Sequence, residues 1–585
     1  MKKIFRYPLC LMYLLLFAGL YPLSAQWNND PLQNLAIADT SGEQVLPKIQ
    51  PTSDGGCYIS WFDSRSGNYD VYLQRLNSLG EIQWDPKGLL ISNHPQQSWL
   101  VDYDLAVDPD DNALLVFADI RNGGSSDLDI FAYKIAPDGS FLWGPDGIGL
   151  SDVSSSDFEA APKVTATPGG LVAAVWPKLG DSDRAALQLL SADGQKLWGE
   201  FGITIQGTGD QSIGSPDLVP AGGDSVIAFW KNSTGPFWAP VTKLYTQKFA
   251  PDGSAAWNPG GLLIYDLGHI PGFVDPQIYP DGHGGAFYTW EDRPSLSDFN
   301  IGVGHVSAGG SLIFPLNGVT VSANITQLHL NPALSYLPQS DEVFVFWTEE
   351  NINQNQYGIY GQKFSATGER LWSDNGKELI ALGGNQISFI RSAVTAGAVY
   401  VGYFQSSAPN AFDNAVKALQ VDPDGTLLWG PLELSSASLG NKGRLGMMTN
   451  TEGRAFLTWS DDRHDSGDIY AQNVNPDGTL GNPPNAITGT IPPESFELLQ
   501  NYPNPFNPET TIRFALAADS EVKVMVYNLI GQQVRTLVDA KMNAGLHQVR
   551  WDGISDGGLR VASGIYLLRF EAGEVIQIRR MILMK

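Results

Sequence analysis

Four Asp/Arg pairs recur along this chain: Asp63 with Arg65, Asp119 with Arg121, Asp292 with Arg293, and Asp461 with Arg463. In each, the aspartate stands two positions beyond an aromatic that ends an apolar run. A guanidinium beside a carboxylate can do one of two things. Turned to solvent, such groups form a polar binding rim, or an arginine cluster for a carboxylate-bearing sugar, because the guanidinium fork matches a carboxylate. Turned inward, they cap turns and tie one repeat to the next. Recurrence at equivalent positions favours the inward reading, since each repeat in a stacked array meets only its neighbours.

Other chemistry is sparse. His94, His269, His283, His305, His329, His464 and His547 fall at no metal-ligand spacing, and there is no HExxH pair. A Gly-x-Ser-x-Gly elbow, a P-loop and a dinucleotide fingerprint are absent. Asp108-Pro109-Asp110-Asp111-Asn112 begins like a calcium loop, but the glycine needed at its sixth position is Ala113. Equivalent spots read as plain hairpins, Asp54-Gly55-Gly56 and Pro168-Gly169-Gly170. The sequence therefore nominates no catalytic residue, cofactor or metal.

The elements that position these residues are repeats. The aromatic anchors are Trp61, Phe117, Trp176, Trp230, Trp290, Trp347, Tyr403 and Trp459; a turn glycine recurs at Gly80, Gly139, Gly194, Gly253, Gly310, Gly368, Gly425 and Gly478. Both series have a period of about 57, which belongs to propellers and arrays. One unit reads Pro47–Gln50, a turn at Asp54–Gly56, Tyr58–Trp61, Asp70–Leu76, and a fourth strand around Ile82–Trp84 followed by Gly88–Ser92. Four antiparallel strands per unit make a β-propeller blade, with the aromatics filling the space between blades. The fold class is all-β: a propeller of about eight four-stranded blades over residues 26–488, a linker at 489–493, and a small immunoglobulin-like β-sandwich over 494–585. The last unit has Leu480 where others carry Trp84, Trp143 or Trp429, while Trp27-Asn28-Asn29-Asp30 near the N-terminus imitates Trp84-Asp85-Pro86. The N-terminal segment is thus expected to supply the outer strand of the final blade and close the ring, since an open ring leaves strand edges unpaired. A seven-bladed ring with one unit outside it is the competing arrangement.

The chain has 62 acidic and 36 basic residues, a formal net charge of -26. That excludes broad nucleic-acid binding, which needs clustered lysine and arginine. Residues 26–493 hold 52 acids and 23 bases, so the acidity lies in the repeat region. Lys2, Lys3 and Arg6, the apolar run Leu9–Leu20 and Pro22-Leu23-Ser24-Ala25 read as a signal peptide cleaved after Ala25. The apolar run is short of the roughly 20 residues of a membrane span, and no later segment is apolar for long enough. Cleavage leaves Cys57 alone, so no intrachain disulfide forms and a buried hydrophobic role is expected for it.

The C-terminal region has ten acids and ten bases and a different rhythm. Its clear strands are 511–516, 522–528, 532–538, 545–551, 565–571 and 575–583, which suits a small sandwich. It opens on Leu499-Gln500-Asn501-Tyr502-Pro503-Asn504-Pro505-Phe506-Asn507-Pro508 and continues through Val526–Gly531, Gly545–Asp552 and Ser563-Gly564-Ile565-Tyr566 to Arg580–Lys585. These five ordered motifs resemble the type A C-terminal sorting domain of the type IX secretion system. The Asn-Pro-Phe-Asn-Pro form also occurs in flagellar hook-capping-like sandwich domains. The sorting resemblance implies an immunoglobulin-like sandwich, the type IX machinery as partner, and delivery to the outer surface of a Gram-negative-type bacterium or beyond it. Three readings of the cargo follow: a non-catalytic protein- or glycan-binding module, with loops such as 231–240 or 349–356 carrying specificity; a polysaccharide hydrolase or lyase using channel carboxylates, although the Ser-x-Asp-x-Gly-x-x-Trp boxes of a sialidase-like enzyme are unmatched; and a structural matrix component.

Overall fold

In the computed structural model the chain divides into two compact units, the first ending at Gly481 and the second beginning at Asn482. The structure describes residues 26–94, 101–122, 128–151, 157–180, 183–207, 211–236, 239–338, 340–395, 397–409, 411, 413–482, 496–498, 501, 504, 506, 508, 510–542, 545–573 and 575–584. Signal residues 1–25 and linker residues 489–493 lie outside that set. Among the described residues the only helical element is a 3-10 turn at Ala437–Leu439, and no helix is long and apolar enough to cross a membrane.

The first unit is a propeller of eight blades, each an antiparallel sheet. The first blade runs Gln44–Pro51, Cys57–Asp63, Asp70–Leu76 and Leu89–Ser92, bonded in that order from the channel outward. Its second strand is buried along its whole length, because another blade covers each face. That is why such strands read as continuous apolar runs without alternation. The third blade holds its inner strand in two pieces, Phe158–Glu159 and Lys163–Ala166, both on Val172–Leu179. The eighth blade contributes Lys442–Thr449, Ala455–Asp461 and Asp468–Val474, and takes Leu35–Ala38 as its outer strand, Leu35 opposite Ala471. The expected N-terminal closure is thus the observed one, and the ring has eight blades.

Eight apolar seams hold these blades, each drawn from two neighbours. The last seam joins Met448, Phe456 and Ile469 of the eighth blade to Ile49, Cys57, Ile59 and Trp61 of the first.

The outer edge differs from expectation. Ile82 makes only an isolated bridge to Leu76, and Gln83 N donates to Arg75 O at 2.9 Å, so this stretch is a hairpin turn; the outer strand is Leu89–Ser92. The reason is Trp84, whose indole reaches across and donates to Pro137 O of the next blade at 3.2 Å. Trp143, Trp198, Trp257 and Trp429 do the same to Ala192, Pro251, Ala308 and Pro476 at 3.2, 3.0, 3.1 and 3.1 Å. Each reaches the turn whose glycine belongs to the second repeating series. At Gly80 (φ 79°) an added Cβ would lie 2.8 Å from the ring of Trp27, so that position demands glycine on two counts. Trp27 stacks on Phe456 with centroids 5.2 Å apart, and its backbone N–H donates to Leu79 O at 3.2 Å. It stands where the eighth blade lacks its own tryptophan.

The second unit is a sandwich. One sheet orders Glu497–Leu498, Thr510–Leu516 and Gly545–Trp551; the other orders Gln533–Met542, Ser520–Asn528, Gly564–Ala572 and Val575–Leu583. Between them lie Phe506, Ile512, Phe514, Val524, Trp551, Phe570 and Met581. The opening and closing motifs pair directly. Phe506 N donates to Ile582 O, and Met584 N to Phe506 O, both at 2.9 Å. Asn504 accepts from Ile582 N at 2.8 Å and donates to Arg580 O at 3.0 Å. Asn501 donates to Thr510 Oγ1 at 2.9 Å and Tyr566 OH to Ala562 O at 2.7 Å. Gly531 (φ 81°) closes the Asn528–Gln532 turn, Gly564 opens its strand and Pro508 is exposed. Tyr502, Pro503, Pro505, Asn507 and Lys585 lie outside the described residues.

Two outcomes are expected. Trp27→Ala should lower propeller stability by about 3–5 kcal/mol, the usual cost of truncating a buried tryptophan, read as a fall in the urea midpoint, with Trp27→Phe falling less. Cys57 is fully buried, and burial pushes its thiol well above the ordinary range. It should resist a thiol reagent in the folded chain and react stoichiometrically in denaturant; ready reaction when folded would contradict the packing.

Candidate functional site: the central channel

The inner strands share one irregularity. Ladder register breaks between Val45 and Lys48, Gly214 and Asp217, Leu330 and Ala333, Ser388 and Arg391, and Gly443 and Gly446. Each break contains a residue in the left-handed region: Leu46 (φ 54°), Ser215 (44°), Asn331 (55°), Phe389 (53°) and Arg444 (58°); Ala161 (44°) takes the same place between the two pieces of the third blade. Such a φ costs an ordinary residue about 1–2 kcal/mol, so the surrounding blade must impose it. Prolines 47, 162, 216 and 332 follow at once. A proline has no N–H to continue the ladder, and a bulge re-aims side chains. In the second and fifth blades Asp102-Tyr103-Asp104 and Asp275-Pro276-Gln277 occupy the corresponding stretch.

The residues flanking this position line the channel. One cavity of about 490 Å³ is bounded by Leu46, Lys48, Asp102, Asp104, Phe389, Arg391 and Arg444, among others. A second of about 370 Å³ shares Asp275, Phe389 and Arg391 with it and adds Phe273, Glu291, Arg293 and Asn331. The two form one trough.

Its walls differ in charge pairing. On the side of the first five blades the acids are engaged. Asp102 lies 2.7 Å from Lys48 Nζ and 3.3 Å from Lys163 Nζ. Burial acts to raise its pKa, but the two lysines prevail and hold the carboxyl well below the usual range. Asp275 accepts from Lys231 Nζ at 3.0 Å and Ser215 Oγ at 2.5 Å. It too ends below its ordinary value, against the effect of burial. Asp104 accepts from Val164 N at 3.0 Å, and burial leaves it raised. Beside these, outside the lining of either cavity, Asp217 accepts from Leu218 N at 2.8 Å; burial pushes it up to about 6 despite the field of Lys163. On the side of the seventh and eighth blades stand Arg391 and Arg444. Of the ten arginines in the propeller, Arg65, Arg75, Arg121, Arg184, Arg293, Arg370, Arg454 and Arg463 each lie within ion-pair distance of a carboxylate. Arg391 and Arg444 have no carboxylate partner among the described residues; Arg391 Nη1 donates to Ile390 O at 2.9 Å, and burial lowers its pKa.

The Asp/Arg pairs of the sequence lie elsewhere. Asp63, Asp119 and Asp461 are buried, each closed by its own arginine within one blade rather than between blades. Asp63 and Asp461 also accept the anchor indoles of Trp61 and Trp459 at 3.0 and 3.1 Å. The guanidiniums of Arg65, Arg121 and Arg463 lie over Tyr72, Phe131 and Tyr470 of the third strand, 4.3, 3.6 and 3.7 Å from the ring centres. The fourth pair is split. Arg293 bonds Glu291, with Nε to Oε2 at 2.8 Å, while Asp292 accepts from Tyr265 OH at 3.0 Å and lies 3.1 Å from His269 Nδ1. Of these eight residues Arg293 alone lines the trough. In the sixth blade Glu349 takes the aspartate's place, accepting Trp347 Nε1 at 2.7 Å, and burial pushes it up to about 7. Asp108 accepts the N–H groups of Asp110 and Asn112 at 3.0 and 2.8 Å and pairs with Lys134 at 2.8 Å, so donors occupy its oxygens as in a hairpin.

Sequence reading missed the channel residues. The signal available was the proline that recurs at one place in five units, positions 47, 162, 216, 276 and 332, with a polar residue beside it in most.

The raised Asp217 yields a pH prediction. Between about pH 4, where an unfolded aspartate ionises, and about 6, its folded value, the native state holds more protons than the unfolded state. Stability should therefore fall as pH rises through that window. Asp217→Asn should remove this component. Urea unfolding of both proteins from pH 4 to 7 tests it: a difference between them that does not vary with pH would refute the assignment.

The FlgD Ig-like domain family matches residues 505–574. No curated protein matches the chain. Similar solved structures include a protein of unknown function from Dyadobacter fermentans DSM 18053, 11% identical over 75% of this chain and 97% of that one, with a TM-score of 0.34. Another is a polysaccharide lyase of family PL25, an ulvan lyase, 9% identical over 76% and 97%, with a TM-score of 0.40. A third is the GH93 α-L-arabinofuranosidase of Fusarium graminearum in complex with arabinobiose, 8% identical over 54% and 93%, with a TM-score of 0.31.

Proposed function

We propose that this chain is an exported protein whose propeller is a non-catalytic glycan-binding module, the glycan entering the central trough. The observation that carries the proposal is the trough itself. Charged and aromatic side chains converge there on a bulge that the repeat maintains, and their identities change from blade to blade. Concave sites with a few converging polar groups are where small ligands bind, and roughly 300–1,000 Å³ is their usual size. Asp102 and Asp275 are committed to lysines, which suits a binding surface better than proton transfer.

The C-terminal sandwich is the export address in this proposal, read by the type IX machinery after signal-peptide export. Support comes from the five ordered motifs and from the pairing of the first with the last through Asn504 and Phe506.

One observation favours a second reading, a polysaccharide hydrolase or lyase. Burial pushes Asp217 up to about 6, while Lys231 and Ser215 hold Asp275 below its ordinary value, and carboxylates whose pKa values are driven apart are the pattern of acid/base pairs.

Two measurements decide. Deleting residues 494–585 should trap the propeller in the periplasm, while the full chain reaches the surface or medium; a full chain found only in the periplasm would overturn the address. On a glycan array, saturable binding without product release supports the binding module. Product release that Asp217→Asn abolishes would replace it with the enzyme.

A further inference from the structure

Resting on the glycan-binding reading, we infer that the trough recognises a saccharide by a single carboxylate, clamped by Arg391 and Arg444, with Phe389 as the platform for its ring. Three observations converge. First, in a propeller with 52 acids to 23 bases, every other arginine has found a carboxylate. The two with none among the described residues are the two that line this cavity on neighbouring blades. A guanidinium left without an anion favours any anion that reaches it, and a carboxylate fits its fork with two parallel hydrogen bonds.

Second, Phe389 is 42% exposed, whereas the eight repeating anchor aromatics are all buried in the seams. It belongs to both cavities. The bulge holds its backbone at φ 53°, and Phe404 supports its ring edge-on at 5.7 Å between centroids. A fixed, open aromatic face suits the apolar face of a sugar ring. Asn331, Gln277 and the exposed Phe273 continue the second cavity beyond it.

Third, the charge of the trough limits how many anions it admits. Asp102, Asp275 and Glu291 already have lysine or arginine partners, so Arg391 and Arg444 are the cations left for a ligand. The surrounding acids repel a polyanion, so a densely charged polyuronate or a nucleic acid fits poorly. The ligand class is a largely neutral glycan bearing an isolated uronate or another carboxylate-substituted sugar.

The test uses the mature chain, residues 26–585. Glucuronosyl-xylobiose, chosen as a sparse acidic probe, and an array of glycans with isolated uronates are each presented beside their carboxyl-reduced forms. Polygalacturonate and alginate serve as dense polyanions. The inference requires at least one sparse acidic glycan to bind at least tenfold more tightly than its reduced form, a gap of about 1.4 kcal/mol. Arg391→Ala and Arg444→Ala should each remove tenfold or more, Phe389→Ala should weaken acidic and reduced forms alike, and Arg444→Lys should recover only part of the loss. All three substituted positions are exposed, so unchanged melting temperatures should accompany these losses. Equal binding of acidic and reduced forms, indifference to both arginine variants, or tighter binding of the dense polymers would overturn the inference and leave glycan binding intact. Binding to no glycan of either kind would overturn both.

Discussion

Every blade depends on its neighbour, because a four-stranded sheet apolar on both faces cannot bury either face alone. At five of the rims the contact that settles this dependence is an indole seated on the turn glycine of the following blade, its N–H donated to that turn's carbonyl. It fixes the angle between blades and removes a polar group from an apolar seam in one contact. It also explains why the chain closes with its N-terminus. The eighth blade ends in Leu480, and a leucine can neither cover Gly80 nor donate to its turn. Trp27 does the first, and the strand that follows it completes the sheet. The two ends of the propeller are joined by the same packing that joins any two blades.

The channel follows a different rule. At the seams each position is prescribed by packing, so aromatics and glycines repeat. At the bulge only the backbone is prescribed. Its left-handed residue and the proline beside it interrupt the ladder in blade after blade, yet the side chain may be Leu46, Ser215, Asn331, Phe389 or Arg444. A scaffold that repeats conformation without repeating chemistry lets one ring hold different side chains at the same place in six of its blades. The asymmetry of this near-symmetric ring is therefore concentrated at the bulge.

This division governs what could be read from the sequence. The period, the blade grammar and the closure by Trp27 were legible because seam positions conserve residue type within the chain. The place of the outer strand was not. The run around Ile82–Trp84 has strand composition, and nothing local reveals that Trp84 belongs to the next blade's turn. The Asp/Arg pairs were legible as a repeated motif, but which way they face depends on Tyr72, Phe131 and Tyr470, which sit on another strand and draw each guanidinium over a ring. Arg293 breaks the spacing by one residue, and it is also the member that reaches the trough. Arg391 and Arg444 carried no local signature, because a variable residue on a repeated bulge resembles any other loop residue. In the sandwich the strands were plain from alternation, but the pairing of Asn504 and Phe506 with the last strand spans nearly the whole module and lies beyond any local pattern.

Charge connects the shell to the trough. A strongly acidic propeller keeps copies apart and repels polyanions over its whole outer surface. Inside the channel, lysines pair with Asp102 and Asp275 and Arg293 with Glu291, and two guanidiniums are left over among the described residues. The other eight propeller arginines each lie within ion-pair distance of a carboxylate, while Arg391 and Arg444, at or beside the bulge, have none among the described residues. Unpaired arginine in this chain is thus a matter of position before it is a matter of composition. The positions that permit it in the propeller are those that line the channel.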